Sequence, residues 1–213
     1  MTVKIDLNVS LDGFATTTDQ TPENPMGEDW SRLVEAYVNT RTMRQRVLGD
    51  GSGAGTTGVD ERYASAYFDG TGAEIMGAGM FGLHLFGDDP DWRGWWGEEP
   101  PFAVPVFVLS HTPRPSIHFE NGTVFHFIDA SPHDALARAR EAAGGADVRI
   151  GGGVDVVRQF LKAGLVDRLH LAVAPIVLGR GERIWDDLRG LENDYEISSE
   201  VAESGVTHVT FRR

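Results

Sequence analysis

Directly after the strand-like run Asp147, Val148, Arg149 and Ile150, three glycines, Gly151, Gly152 and Gly153, hand the chain over to a helix. Val154, Val157 and Leu161 recur at i, i+3 and i+7 with Phe160 beside them, and Gly164 stands where a C-terminal cap belongs. A strand, a turn without side chains and a helix N-terminus together expose backbone N–H groups, and such a pocket suits a pyrophosphate or another anion. The glycines matter because a phosphate approaches the backbone closely only where no Cβ intervenes. The plain alternative is a turn that only swings strand into helix. Asp155 weighs towards it, since a carboxylate in the first helical turn satisfies the same N–H groups and repels an anion.

The same arrangement occurs a second time. Residues 73–76 read as a short strand, Gly77, Ala78 and Gly79 turn the chain, and a helix starts at Met80 and Phe81. No other chemistry is spelled out so locally. Seven histidines show no ligand spacing on a common helix, which argues against a metal, and no serine sits in a nucleophile-elbow pattern.

The elements that must position these turns follow from periodicity. Residues 3–9 alternate apolar and polar as a half-buried strand does, and end at Ser10, Leu11, Asp12, Gly13 and Phe14. Residues 30–48 and 59–68 read as helices, with the glycine-rich 49–58 between them as either a mobile loop or a surface connection. Residues 88–101 carry Trp92, Trp95 and Trp96, either as a satellite aromatic cluster or as a stacking wall for a flat ring. The apolar run 106–109 reads as a strand buried on both faces and emerges at Ser110 and His111. A strand over 123–128 and a helix capped by Ser131 follow; after the glycine turn come strands at 168–173 and 176–178 and a closing hairpin. Strands alternating with helices, then a hairpin, predict an α/β fold with a mixed, mainly parallel sheet and helices on both faces. Ligands of such sheets bind outside the carboxyl ends of the strands.

Composition narrows the function. With 213 residues, 41% hydrophobic content and no linker-like stretch, the chain reads as one domain over 1–213. No long apolar run predicts a membrane span, and the absence of cysteine removes disulfides and thiol nucleophiles and points to the cytoplasm. A net charge of −13 argues against nucleic acid and requires any anionic ligand to be captured locally.

Ser10 to Gly13, the turn from Gly77 to Phe81, Ser110 with His111, and the triple glycine come in an order that resembles the dihydrofolate-reductase-like proteins. Residues 163–170 running into Pro175 and Leu178 to Gly181 extend the likeness to the reductase domains of riboflavin biosynthesis. The resemblance implies a homodimeric reductase that binds NADPH, or NADH, and a small heterocyclic substrate of the 5-amino-6-(5-phosphoribosylamino)uracil type. Carried over by position, Gly151, Gly152, Gly153 and Val154 hold the pyrophosphate, and Ser110 and His111 lie by the adenosine ribose and its 2′-phosphate. Gly77, Ala78 and Gly79 face the phosphates from the other side. Ala78 and His111 stand where the family commonly has arginine, which weakens NADPH binding or shifts preference towards NADH. Hydride transfer further needs a proton donor, and the candidates are Asp29, beside Trp30, and Asp12. Each also has a structural use, Asp29 at a helix start and Asp12 in a turn. A non-catalytic nucleotide-binding or regulatory module on the same scaffold is the alternative.

Overall fold

The alternating residues near the start form strand β1 (Val3–Ser10), yet both faces of its first half are buried: Lys4 and Asp6 are buried along with Val3 and Ile5. In the computed structural model, which describes residues 1–213, β1 is followed by β2 (Phe14–Thr16) and the helices α1 (Trp30–Val38), α2 (Arg41–Arg46) and α3 (Val59–Phe68). Then come β3 (Thr71–Gly77), α4 (Ala78–Phe81), α5 (Leu83–Phe86), β4 (Pro105–Leu109), β5 (Ile117–His118) and β6 (Val124–Ile128). Helix α6 (Pro132–Ala143), β7 (Asp147–Gly152), α7 (Val154–Lys162) and β8 (Arg168–Ala174) lead to β9 (Glu182–Arg183), β10 (Glu196–Val201) and β11 (Thr207–Arg212). None of the helices is long and apolar enough to cross a membrane.

The contacts divide the chain into two compact units, Met1–Ile5 with Gly70–Asp167 and Asp6–Asp69 with Arg168–Arg213. In the first unit the strand order is β1–β7–β3–β4–β6–β5, parallel except where β5 meets β6. Helix α6 packs on β3, β4 and β7, and α7 on β7 and β3. The cap at Ser131 forms as the sequence predicts: its hydroxyl accepts from the Asp134 N–H at 3.2 Å and Pro132 opens the helix. In the second unit the order is β10–β11–β8–β1, with β10, β11 and β8 antiparallel, and β2 pairs with β9. The sheet is thus mixed and mainly parallel, closed by the expected C-terminal hairpin.

Three segments differ from the sequence reading, each for a local reason. The helix expected over 30–48 breaks after Val38, because Thr40 takes an extended backbone and its hydroxyl caps α2 by accepting from the Met43 N–H. No strand forms at 176–178, since the N–H groups of Leu178 and Gly179 bind the Asp12 carboxylate and the Ile176 carbonyl accepts from Leu11. The helix expected from Met80 is a single turn, α4, ended by Gly82 at φ 98°.

The two uncertain loops also take definite form. Trp92 and Trp95 donate their indole N–H groups to the carbonyls of Phe81 and Met80, while Trp96 packs against Phe81, Phe102 and Phe125. The 88–101 segment is therefore an aromatic cluster on the core. The 49–58 stretch is pinned by the Arg44–Asp50 ion pair and by Thr56 bonded to Asn39 and Arg41.

Candidate functional site

In the first unit the two glycine turns sit side by side at the carboxyl ends of β3 and β7. A Cβ on Gly77 would lie 2.9 Å from Val156 Cγ2 and 3.5 Å from the Gly153 backbone nitrogen, so only glycine lets the two turns approach. The peptide between Gly152 and Gly153 is cis. A Cβ on Gly153 would meet nothing within 4 Å, and one on Gly79 only His84 Nδ1 at 4.0 Å, so both face open space. Gly153 caps α7 without any side-chain bond, and Asp155 is turned away onto Arg158, one helical turn on. The helix start therefore keeps its N–H groups clear of the carboxylate that the sequence placed there.

The three adjacent glycines do different work. Gly152 is at φ 127°, a backbone region that side chains avoid. Gly151 answers to an internal group instead: a Cβ there would lie 2.3 Å from Glu74 Oε1. Glu74 forms a 2.5 Å ion pair with Arg149, both side chains at most 2% exposed. Val154 is buried as the first residue of α7, and Ala78 is half-buried at the start of α4.

Ser110 follows β4, with its hydroxyl bonded to the backbone of Thr112. His111 projects into solvent, 96% exposed, with Nδ1 3.0 Å from Asp129 Oδ1. The carboxylates belong to the second unit. Asp12 accepts from the Ser10 hydroxyl at 2.6 Å, from Leu178 N at 3.1 Å and from Gly179 N at 2.7 Å. Desolvation pulls its pKa up, but these hydrogen bonds outweigh it and hold the carboxyl at about 2. At neutral pH Asp12 is an ionised tie between two loops with no proton to give. Asp29 precedes α1 without capping it and pairs with Arg32 at 2.5 Å.

A site that the sequence reading did not find lies wholly within the second unit. A cavity of about 350 Å³ is walled by α1, α3, β1, β8 and β11. Tyr37, Tyr63 and Tyr67 line it together with Asn8, Glu35 and the ends of a chain of buried polar groups. That chain runs from Asp6 Oδ1 to His170 Nδ1 (3.1 Å), from His170 Nε2 to His208 Nδ1 (2.9 Å), and from His208 Nε2 to Asp60 Oδ1 (2.9 Å). Arg168 donates to the same Asp6 oxygen at 2.9 Å. The register pairing His208 with Ala172 and Thr210 with His170 makes the two histidines diagonal neighbours on one sheet face. Tyr63 stacks on both imidazoles, with centroids 4.2 and 4.1 Å away, and its hydroxyl bonds Glu200 at 2.7 Å. Asp60 lies in the first turn of α3, where the helix N-terminus favours a negative charge. Burial lowers the pKa of His208, and His170 lowers it further, against the upward pull of Asp60.

Comparison with known proteins agrees with this architecture. Over all of this chain and 99% of its own, a Shewanella sp. PV-4 protein assigned to riboflavin biosynthesis superposes with a TM-score of 0.61 at 22% identity. The dihydrofolate reductase of Enterococcus faecalis, solved with NADP(H), superposes over 100% of this chain and 96% of its own with a TM-score of 0.52 at 11% identity. The Thermotoga maritima deaminase and 5-amino-6-(5-phosphoribosylamino)uracil reductase matches 99% of this chain, which spans 56% of that protein, with a TM-score of 0.50 at 15% identity. At these identities the likeness is one of fold. In sequence, the uncharacterized protein YyaP of Bacillus subtilis is 30% identical over 67 residues, 32% of this chain and 36% of that relative. The model of the RibD C-terminal domain matches residues 1–206, and the chain belongs to that family, whose fold is dihydrofolate-reductase-like.

Proposed function

We propose that the protein is a reductase that uses NADPH, or NADH, to reduce a small heterocyclic substrate of the 5-amino-6-(5-phosphoribosylamino)uracil type. The observation that carries this reading is the pair of glycine turns at Gly77 and Gly152–Gly153, with open space at Gly153 and a helix start without a side-chain cap behind it. Backbone N–H groups there suit a dinucleotide pyrophosphate, which a chain of net charge −13 must capture locally. The nicotinamide, when bound, supplies hydride; the protein's part is to orient, to exclude water and to provide a proton. Ser110 and His111 serve the adenosine end, and Asp29 is the carboxylate proposed for substrate. With Ala78 in place of arginine, discrimination for the 2′-phosphate is weak.

Titrating the protein with NADPH and NADH while following tryptophan fluorescence tests the reading. Saturable quenching followed by consumption of the reduced cofactor with an aminouracil substrate is expected; no quenching by either nucleotide at millimolar concentration refutes it. A binding-only role draws support from the engagement of both candidate acids, Asp12 with backbone N–H groups and Asp29 with Arg32. That role predicts nucleotide binding without turnover.

A further inference from the structure

In the first unit the carboxyl ends of neighbouring parallel strands form one row, in the order β7, β3, β4 and β6. The glycine turns end β7 and β3. Next along the row come Ser110 and His111 after β4, and Asp129 after β6. These ends are aligned: Leu109 pairs with Ile128, and the Ser110 N–H donates to the Ile128 carbonyl at 3.0 Å. Strands lie about 4.8 Å apart, and the adenosine ribose of a dinucleotide is one methylene from its pyrophosphate. A pyrophosphate on the glycine turns therefore brings that ribose to the ends of β4 and β6, one or two strand spacings away.

The charge waiting there is negative. Asp129 is 69% exposed and gives only Oδ1 to His111, which leaves Oδ2 to accept a further hydrogen bond. The arginines that flank these ends in the chain are engaged elsewhere. Arg114 lies over the Phe127 ring, donates through Nη2 to the carbonyls of Asp89, Pro90 and Trp92, and has its Nη1 buried. Arg149 is buried with Glu74, and Arg158 holds Asp155. Helix α6 opens just after Asp129, but its arginines, Arg138 and Arg140, stand more than a turn beyond its start.

We propose that the protein selects NADH over NADPH, and that Asp129 makes the selection by accepting from the 2′-hydroxyl of the adenosine ribose. This selection rests on the reductase reading above and assigns its cofactor. A carboxylate accepts hydrogen bonds and does not donate them, so it pairs with a hydroxyl but meets a phosphate as a second acceptor. The two anions also repel. For a phosphate of charge near −2, about 5 Å from the carboxylate in water, the repulsion amounts to roughly a tenfold loss of affinity. The His111 ring does not reverse the sign, because the same carboxylate offsets any positive charge it carries. The acidic residue at a strand end thus does what an arginine at position 78 or 111 would undo.

Fluorescence titration of the full chain with NADH and NADPH at low salt tests the selection, with 5′-AMP and 2′,5′-ADP as competitors for the adenosine end. A Kd for NADH about tenfold below that for NADPH is expected, and 5′-AMP should displace NADH better than 2′,5′-ADP does. Asp129→Asn should tighten NADPH and weaken NADH, narrowing the gap several-fold, and raised salt should narrow it in the wild type. The Tm of the variant should stay put, since the residue is exposed and its one partner is an exposed histidine. NADPH bound as tightly as NADH or more tightly, or an Asp129→Asn variant in which both nucleotides shift alike, would overturn the selection and leave the reductase reading standing. Failure of both nucleotides to bind would overturn the two together.

Discussion

Replacing Gly151 by alanine should unfold the protein more readily without touching any ligand, and the size of the effect can be worked out. The new Cβ would lie 2.3 Å from Glu74 Oε1 and 3.3 Å from its Cδ. Glu74 has nowhere to go: its side chain is 2% exposed in a central strand and holds Arg149, 1% exposed, at 2.5 Å. If the carboxylate shifts but keeps its partner, the cost is that of overpacking, about 1–3 kcal/mol. If the ion pair breaks, two buried charges are left uncompensated and the cost rises to about 3–5 kcal/mol. For a chain of this length each kcal/mol lowers Tm by about 2–4 °C, so the broken pair should cost roughly 6–20 °C. Thermal and guanidinium melts measure it. In a Glu74→Ala background the same substitution should cost much less, because the clash is gone. Gly153→Ala is the counterpart: its methyl meets nothing within 4 Å, so the melt should stay put while nucleotide affinity falls. An unchanged Tm in Gly151→Ala would refute the steric reasoning, and a collapsed fold in Gly153→Ala would refute the division of labour. Gly152→Val cannot separate the two roles, since φ 127° strains any side chain there.

Four shorter expectations follow from the site residues. Asp12 has its folded pKa depressed to about 2, so its stabilising contribution is complete above about pH 4, the unfolded value, and is lost as pH falls towards 2. Asp12→Asn should therefore be less stable at neutral pH and show a flatter acid limb in pH-dependent melts. Tyr63→Phe keeps the stack on both histidines but loses the bond to Glu200, which should cost about 1 kcal/mol in denaturant unfolding. Asp129→Asn removes a carboxylate 3.0 Å from the His111 ring and should raise the NADPH-to-NADH affinity ratio several-fold at low salt. Asp29→Asn should leave the nucleotide Kd unchanged and lower the reductase rate by about 10²-fold, while the lost ion pair with Arg32 changes stability by under about 1 kcal/mol.

Most of the sheet was legible because its strands carry their own signals: the apolar run of β4, the capped start of α6, the glycine punctuation after β3 and β7. The breaks were not. Thr40 ends α1 through a hydroxyl that bonds three residues on, inside a stretch whose apolar spacing continues smoothly. Residues 176–178 look like a strand, but their hydrogen bonds are spent on a carboxylate more than 160 positions away in sequence. The glycine turns were readable as a candidate anion site, while the reason for Gly151 was hidden in a partner, Glu74, from another strand.

The histidine chain shows why alternation alone misleads. Asp6, Arg168, His170 and His208 occupy the polar phase of alternating strands, the phase that normally marks a solvent face. Here that face is covered by α1 and α3, and its polar residues satisfy one another across β1, β8 and β11. Nothing in local spacing announces this, because the members stand at 6, 60, 168, 170 and 208, and only the β8–β11 register brings the histidines together. One signal was available: two histidines and an aspartate in the polar phase of strands otherwise rich in Val, Leu and Phe are costly to bury singly and so imply partners. The same reasoning separates the protein's two sites chemically. The first unit presents a helix start whose nearby carboxylate, Asp155, is turned onto Arg158, an arrangement compatible with an anion. The second lines its cavity with the carboxylates of Asp6, Glu35 and Asp60 and with three tyrosine rings, an acidic wall unsuited to phosphate.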